Sequence, residues 1–155
     1  MRCPLKIQQL SIFLENKPGN LGAICKVLKD ANLNILNMSL ADTQQFGILR
    51  LIIHDFEKAK NLLQQAGYIV NLKSVVAIEI DDKPGGIFQV LETLEKEQIN
   101  IDYLYPFALR RNIDRAVLIF RFSEPEKAIE ILKRKAFTVL QAEKIFEMRE
   151  KMNNG

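Results

Sequence analysis

Two short segments hold the residue types from which chemistry can be argued, Glu15-Asn16-Lys17-Pro18-Gly19-Asn20-Leu21 and Asp81-Asp82-Lys83-Pro84-Gly85-Gly86-Ile87. Each follows an alternating apolar stretch and precedes an amphipathic one, so each reads as an elbow between a strand and a helix. A glycine at such a bend lets the backbone turn and come close to a ligand. The first N–H groups of the following helix have no intrahelical acceptor, and such an end attracts a carboxylate or a phosphate. The second elbow has Asp82 where the first has Asn16, a charge in place of a neutral amide, so the two should differ in what they prefer. Asn34 and Asn100 each follow the helix that starts at an elbow and open the next strand, where a turn asparagine commonly bonds its own backbone.

Other chemistry finds little support. His54 is the only histidine, beside Asp55, and no Cys or Ser accompanies it in a catalytic motif. One His with two separated cysteines, Cys3 and Cys25, gives no metal-ligand set. The carboxylates of Asp81 and Asp82 point to opposite sides of an extended chain. The reading is therefore a binding protein with no catalytic residues, no metal and no cofactor.

The elbows belong to a larger repetition. At an offset of 66, Leu21, Ile24, Leu28 and Asn34-Ile35 meet Ile87, Val90, Leu94 and Asn100-Ile101; at 69, Glu57-Lys58-Ala59 returns as Glu126-Lys127-Ala128, and Tyr68 and Val70 meet Phe137 and Val139. The three-residue change places a longer hairpin loop in the second copy. Hydrophobic spacing and turn residues recur together, which indicates two copies of one fold, divided near residue 73 into domains 1–72 and 73–155.

Within the first copy, Leu10, Ile12 and Leu14 alternate over a strand at about 6–14. Leu21, Ile24, Cys25, Leu28 and Ala31 follow with helical spacing, and Asn20 is placed to cap that helix. Strands are expected at 33–40 and 48–53, a helix through Ala59, Leu62, Leu63 and Ala66, and a strand from Tyr68 that has no Gly or Pro to stop it before Ile80. The second copy gives strand 75–81, helix 86–97, strands 99–108 and 115–122, helix 125–135 opened by Pro125, and strand 137–141. The order βαββαβ in both halves gives α+β, ferredoxin-like domains in tandem, each an antiparallel sheet with two helices on one face and the other face uncovered. A last helix over 142–152, with Ala142, Ile145, Phe146 and Met152 on one side, is expected to cover part of that open face or to dock on a partner.

The stretch ENKPGNLGAICKVLKDANLNIL, with DDKPGGIFQVLETLEKEQINID in the second copy, resembles the ACT domain, and the likeness extends to about residue 141. It implies a stand-alone tandem regulatory protein that holds a free amino acid between paired domains. By that resemblance Asn16 and Asn34 match positions that hold the ligand's polar head, and Gly19, Asn20 and Leu21 match the turn whose backbone contacts it, with Ile35 following Asn34. Gly85, Gly86, Ile87, Asn100 and Ile101 match the same places in the second copy, where Asp82 departs from the amide pattern. An amide both donates and accepts, so one Asn can serve either end of an amino acid. Met38, Tyr103 and Tyr105 are possible liners for its side chain.

Composition bounds the partners. Apolar residues make up 48% of 155 and charged ones 26%, with a net charge of +3; up to Lys73 there are nine basic against five acidic residues, and afterwards thirteen against fourteen. That balance does not suit a dedicated nucleic-acid binder. Arg110-Arg111 and Lys133-Arg134-Lys135 read as solvated charges. RNA-recognition modules share the βαββαβ order but stack bases on aromatic residues of the central strands; Ile48–Ile53 is aliphatic, and Phe120 and Phe122 lack the surrounding basic, Gly-rich motif. No run is long enough to span a bilayer and the start lacks a secretory core, so a cytoplasmic protein with reduced cysteines is expected. The open sheet edges and faces favour a homodimer, which would act on a regulated enzyme or regulator when the pocket fills; a protein-interaction module without ligand is the competing reading.

Overall fold

Alternation of apolar and polar side chains makes β1 (Ile7–Glu15) a strand with Leu10, Ile12 and Leu14 turned to one side. Gly19, at φ 91°, then redirects the chain into α1 (Asn20–Asp30), which buries Ile24 and Leu28. β2 (Ile35–Asp42), β3 (Phe46–Ile53) and α2 (Phe56–Gln65) follow. The Asp55 carboxylate caps α2 by accepting the Lys58 N–H at 3.2 Å. β4 (Ile69–Asp81) is one uninterrupted strand of 13 residues that closes the first copy and opens the second. Then come α3 (Gly86–Lys96), β5 (Ile101–Pro106), β6 (Arg115–Phe122), α4 (Pro125–Arg134), β7 (Thr138–Leu140) and α5 (Ala142–Asn153). This computed structural model describes residues 3–42, 45–108 and 114–153; Arg110 and Arg111 lie outside them.

The chain forms two compact units. The first, Gln8–Lys73, has the strand order β2-β3-β1-β4, with β1 antiparallel to β3 and β3 to β2. Leu10, Ile12, Leu49, Leu51 and Val70 pack with Ile24, Leu28, Ala59 and Leu63 of the helices. The second has the order β7-β4-β6-β5, all antiparallel, with Val76, Ile78, Phe120 and Phe122 packed with Val90, Leu94, Ala128 and Leu132. Both are ferredoxin-like sheets with two helices packed on one face. Truncating any of these buried Leu or Ile side chains to Ala costs about 2–5 kcal/mol.

The second unit also takes in the short segment before Gln8. Leu5 packs on its core, the Lys6 ammonium pairs with Glu126, and the Ala142 N–H donates to the Pro4 carbonyl at 3.0 Å. Nothing in the periodicity of the sequence signals this strap.

Two expectations need correction. Asn20 is the first residue of α1 and not its cap; Gly19 holds the cap position, with no side-chain hydrogen bond. The sides of the two sheets away from their helices are not left fully open: Gln9, Asn37 and Ile52 are buried on that side of the first, and Val75, Ala77, Val117 and Ile119 on that side of the second. The physical sign is the continuous apolar run Val75-Val76-Ala77-Ile78, since a strand covered on both faces does not alternate. Ile145 of α5 is fully buried as well, with Ala142 and Phe146 half-buried.

Candidate functional site

At the first elbow the Asn16 N–H donates to the Gln45 carbonyl at 3.1 Å, and the Asn20 N–H to the Lys17 carbonyl at 3.3 Å. The Asn20 side chain reaches back and donates to the Glu15 carbonyl at 2.8 Å, which fixes the bend from inside. Lys17 and Glu15 pair at 2.6 Å, and that carboxylate raises the lysine's pKa through its hydrogen bond and its charge. Gly19 has open space where a Cβ would stand, so its requirement is conformational alone. Asn16 is exposed and its amide makes no hydrogen bond among the described residues.

The second elbow repeats this backbone with different side chains. Gly85 has φ 86°, the Asp82 N–H donates to the Asp114 carbonyl at 2.8 Å, and the Gly86 N–H to the Lys83 carbonyl at 3.0 Å. Gly86 stands where the first copy has Asn20, and a Cβ on it would lie 2.0 Å from the Asp81 carbonyl oxygen. Backbone contact thus replaces the side-chain hydrogen bond as the thing that holds the bend. Ile87 and Phe88 stand exposed on the first turn of α3, Phe88 at 60%, where α1 has half-buried Leu21 and then Gly22.

The asparagines that open the next strands lie at the other end of each unit. Register places Asp42 beside Gly47 near the elbow and Ile35 beside Ile53 far from it; in the second unit Ile101 pairs with Phe122, while Asp81 and Arg115 pair at the elbow end. An 11-residue helix separates elbow from asparagine in both, about 16 Å of rise. One unit therefore brings Asn16, Gly19, Asn20 and Leu21 together, and Gly85, Gly86 and Ile87 together, but neither Asn34-Ile35 nor Asn100-Ile101 with them. Asn34 is exposed and its amide has no hydrogen bond among the described residues. The Asn100 amide donates to Asp102 at 3.1 Å and to the Ser123 hydroxyl at 3.2 Å, and so is already engaged.

The outward side of each sheet beside its elbow departs from the repeat. In the first unit Phe13 and Phe46 lie with ring centroids 5.9 Å apart and remain 49% and 43% exposed, and Ile69 is 68% exposed. The same places in the second are Glu79, Arg115 and Thr138. The Arg115 guanidinium pairs with Glu79 at 3.3 Å and with Asp81. Lys83, first, and Arg115 hold the Asp81 carboxyl below the usual Asp range. Sequence reasoning passed over Arg115, Glu79 and Thr138; a position-by-position comparison of the copies for residues that break the repeat, Phe13 against Glu79 and Phe46 against Arg115, would have found them.

Over residues 5–149 the sequence matches the model of the ACT domain pair. The chain belongs to that family. A crystal structure of protein BT0572 from Bacteroides thetaiotaomicron is 38% identical, with 92% of this ACT pair and 96% of that chain covered and a TM-score of 0.84. The regulatory subunit of aspartate kinase from Thermus thermophilus, ligand free, shares the fold at 13% identity and TM-score 0.59, over 84% of this chain and 92% of that one. E. coli aspartokinase III, solved with aspartate and ADP, shares it at 16% identity and TM-score 0.54, where the ACT pair covers 84% of itself and 32% of the enzyme. No curated protein matches the sequence significantly.

Elsewhere in the ACT pair the possible ligand liners are divided. Met38 is exposed, whereas Tyr105 is buried and stacks on Tyr103 with centroids 6.3 Å apart. Phe120 and Phe122 are fully buried in the core, 5.5 Å apart, and offer no surface to a base. His54 is exposed, and Cys3 and Cys25 are free. Among the described residues no three His, Cys, Asp or Glu side chains gather into a metal site, and no helix is long and apolar enough to cross a membrane.

Proposed function

We propose that this ACT pair is a regulatory sensor of a free amino acid, without catalytic activity, that acts in the cytoplasm on a partner enzyme or regulator. The observation that carries this reading is the first elbow: a left-handed Gly19 heads α1 with no side-chain cap, beside the unengaged amide of Asn16. Bare helix N–H groups favour the carboxylate, and the amide serves ammonium or carboxylate. Asn34 completes the site only from another domain, because in its own unit it lies a helix length away. A homodimer supplies one.

The surface for that pairing is the elbow end of the first sheet's outward side, where Phe13, Phe46 and Ile69 stay exposed while Gln9 and Ile52 farther along are buried. Its counterpart in the second unit carries Glu79 and Arg115, against which aromatic rings would strand a desolvated ion pair. Like therefore meets like, first unit to first unit, which closes a two-fold dimer and stops an open chain.

A thermal-shift screen of the twenty amino acids on the whole protein tests the reading. A ligand at a hundred times its Kd adds about 2.7 kcal/mol, a rise of roughly 5–10 °C for a chain of this size. Asn34→Ala should then weaken that ligand by about 1–3 kcal/mol with little change in the unliganded Tm. A flat screen at millimolar concentrations overturns the proposal.

A further inference from the structure

Exposed positions Gly22, Lys26 and Lys29 of α1 are spaced i, i+4 and i+7 and so form one stripe along the helix. The same places in α3, 66 positions on, are Phe88, Glu92 and Glu95. The two stripes are complements at every position. Gly22 has nothing within 4 Å of where a Cβ would stand, a notch, and Phe88 projects a ring that is 60% exposed. Two ammonium groups on one helix then match two carboxylates on the other. Neither stripe belongs to a core: both face solvent in the single chain, with the Lys26 and Glu92 side chains 74% and 45% exposed.

The helices themselves do not ask for this pattern. Glu95 lies in the last turn of α3, whose carbonyl end disfavours a carboxylate, so its own helix does not explain its sign. Glu92 pairs with Lys96 at 3.0 Å and Lys26 with Asp30, yet exposed pairs of this kind are weak and give way to a better-placed charge. Lys29 and Glu95 have no ion pair among the described residues. On the helix side of the sheets, the edge strands leave Met38 and Leu40 of β2 and Leu104 of β5 exposed. Their ladder partners Leu51, Leu49 and Phe120 are core residues, which puts all three on that side. Apolar surface thus accompanies the charges.

A second copy of the chain fits these observations, and it fits in one way. α1 against α1 would set Lys26 and Lys29 on their own kind, and α3 against α3 would do the same to the glutamates; like charges across a contact repel. α1 against α3 pairs opposite charges. With the helices parallel each residue of one stripe meets its counterpart, and with them antiparallel Lys26 still meets Glu92 while the Lys29 stem lies on Phe88, an apolar chain along a ring. We infer that α1 of one copy docks on α3 of a second copy, unlike unit to unlike unit. This surface shares no residue with the first sheet's outward side and goes beyond the dimer proposed there. Each copy carries both halves, so the contact joins such dimers to one another.

Sedimentation of the whole protein at low and high salt tests it. At low salt the wild type should assemble beyond a dimer, and screening by salt should reverse that step. Lys26→Glu with Lys29→Glu, and separately Glu92→Lys with Glu95→Lys, should each weaken it about tenfold or more. Mixed in equal amounts, the two double variants should assemble again, because the acidic α1 of one meets the basic α3 of the other. Phe88→Glu should weaken the step as well. These are surface positions, so Tm should hold. If either double variant alone assembles like the wild type, or if the mixture stays apart, the contact is not between α1 and α3. If the wild type stays dimeric at low salt and none of these changes alters it, the inference falls. If the charge variants split that dimer while Phe46→Asp does not, α1 and α3 form the dimer itself and the first-sheet surface falls instead.

Discussion

Beside the first elbow the sheet shows Phe13, Phe46 and Ile69 to solvent; beside the second it holds Glu79, Arg115 and Thr138 at the same three places. The backbone under them is the same, down to the left-handed glycine and the carbonyl that receives the elbow's N–H. Two kinds of requirement therefore act on this repeat. What bends the chain recurs, because φ near 90° is open to glycine and strained for other residues. What meets the surroundings does not recur, because nothing in the bend depends on it. The two ends of one architecture are thereby fitted for different contacts, an apolar one in the first unit and an ionic one in the second.

Substitution can break or sharpen this contrast. Gly86→Ala should have the largest effect: the new Cβ meets the Asp81 backbone, which cannot swing away, so a loss of about 3 kcal/mol is expected in urea denaturation. Gly22→Ala on α1, with nothing within 4 Å of its Cβ, should stabilise slightly. Equal midpoints for the two would remove the claim that backbone contact holds the second bend. Phe46→Asp should next weaken self-association about tenfold or more in sedimentation, as removal of a buried aromatic anchor does. An unchanged dimer would move the interface elsewhere.

Gly19→Ala and Gly85→Ala test the part the copies share. Neither position crowds a Cβ, so both should cost about 1 kcal/mol from the left-handed backbone alone, and a large inequality would mean the elbows differ in more than their side chains. The smallest effect concerns acid. Asp81 has its pKa lowered from 3.8 by Lys83 and Arg115, so its stabilising contribution is complete above about that value and fades as pH falls through the depressed one. Asp81→Asn should flatten the stability profile below about pH 4 in the second unit's unfolding; a profile identical to the parent's would assign the acid loss to other carboxylates.

Much of this was readable from residue order. Period-two and helical spacing, with Pro18-Gly19 and Pro84-Gly85 as punctuation, located the elements, and the absence of a breaker between Asn71 and Ile80 foretold the single strand β4. The cap was misjudged because Asn20 is a good capping residue one place too late, and Gly19 needs no side chain to do the work. A last helix able to cover a sheet face is legible in the sequence, but how far the second sheet is covered is written only in the unbroken apolar run Val75–Ile78, because burial on two sides erases alternation. The elbows were legible as local turns; the distance from Asn16 to Asn34 was not, because it depends on where β2 sits in the sheet. The ion pair beside the second elbow joins residues more than thirty positions apart, Asp81 and Arg115, which strand register alone brings together.

The strap before Gln8 sets an order of events at the ribosome. Lys6 waits for a partner 120 positions downstream, and Pro4 waits longer, for the first N–H of α5. At roughly 5–20 residues per second that is about 6–24 seconds of synthesis. Residues Gln8–Lys73 are contiguous and can close during the interval, whereas the other unit is incomplete until its final helix emerges. Translation thus assembles the half with the aromatic face first, and the half with Glu79 and Arg115 after α5 has been made.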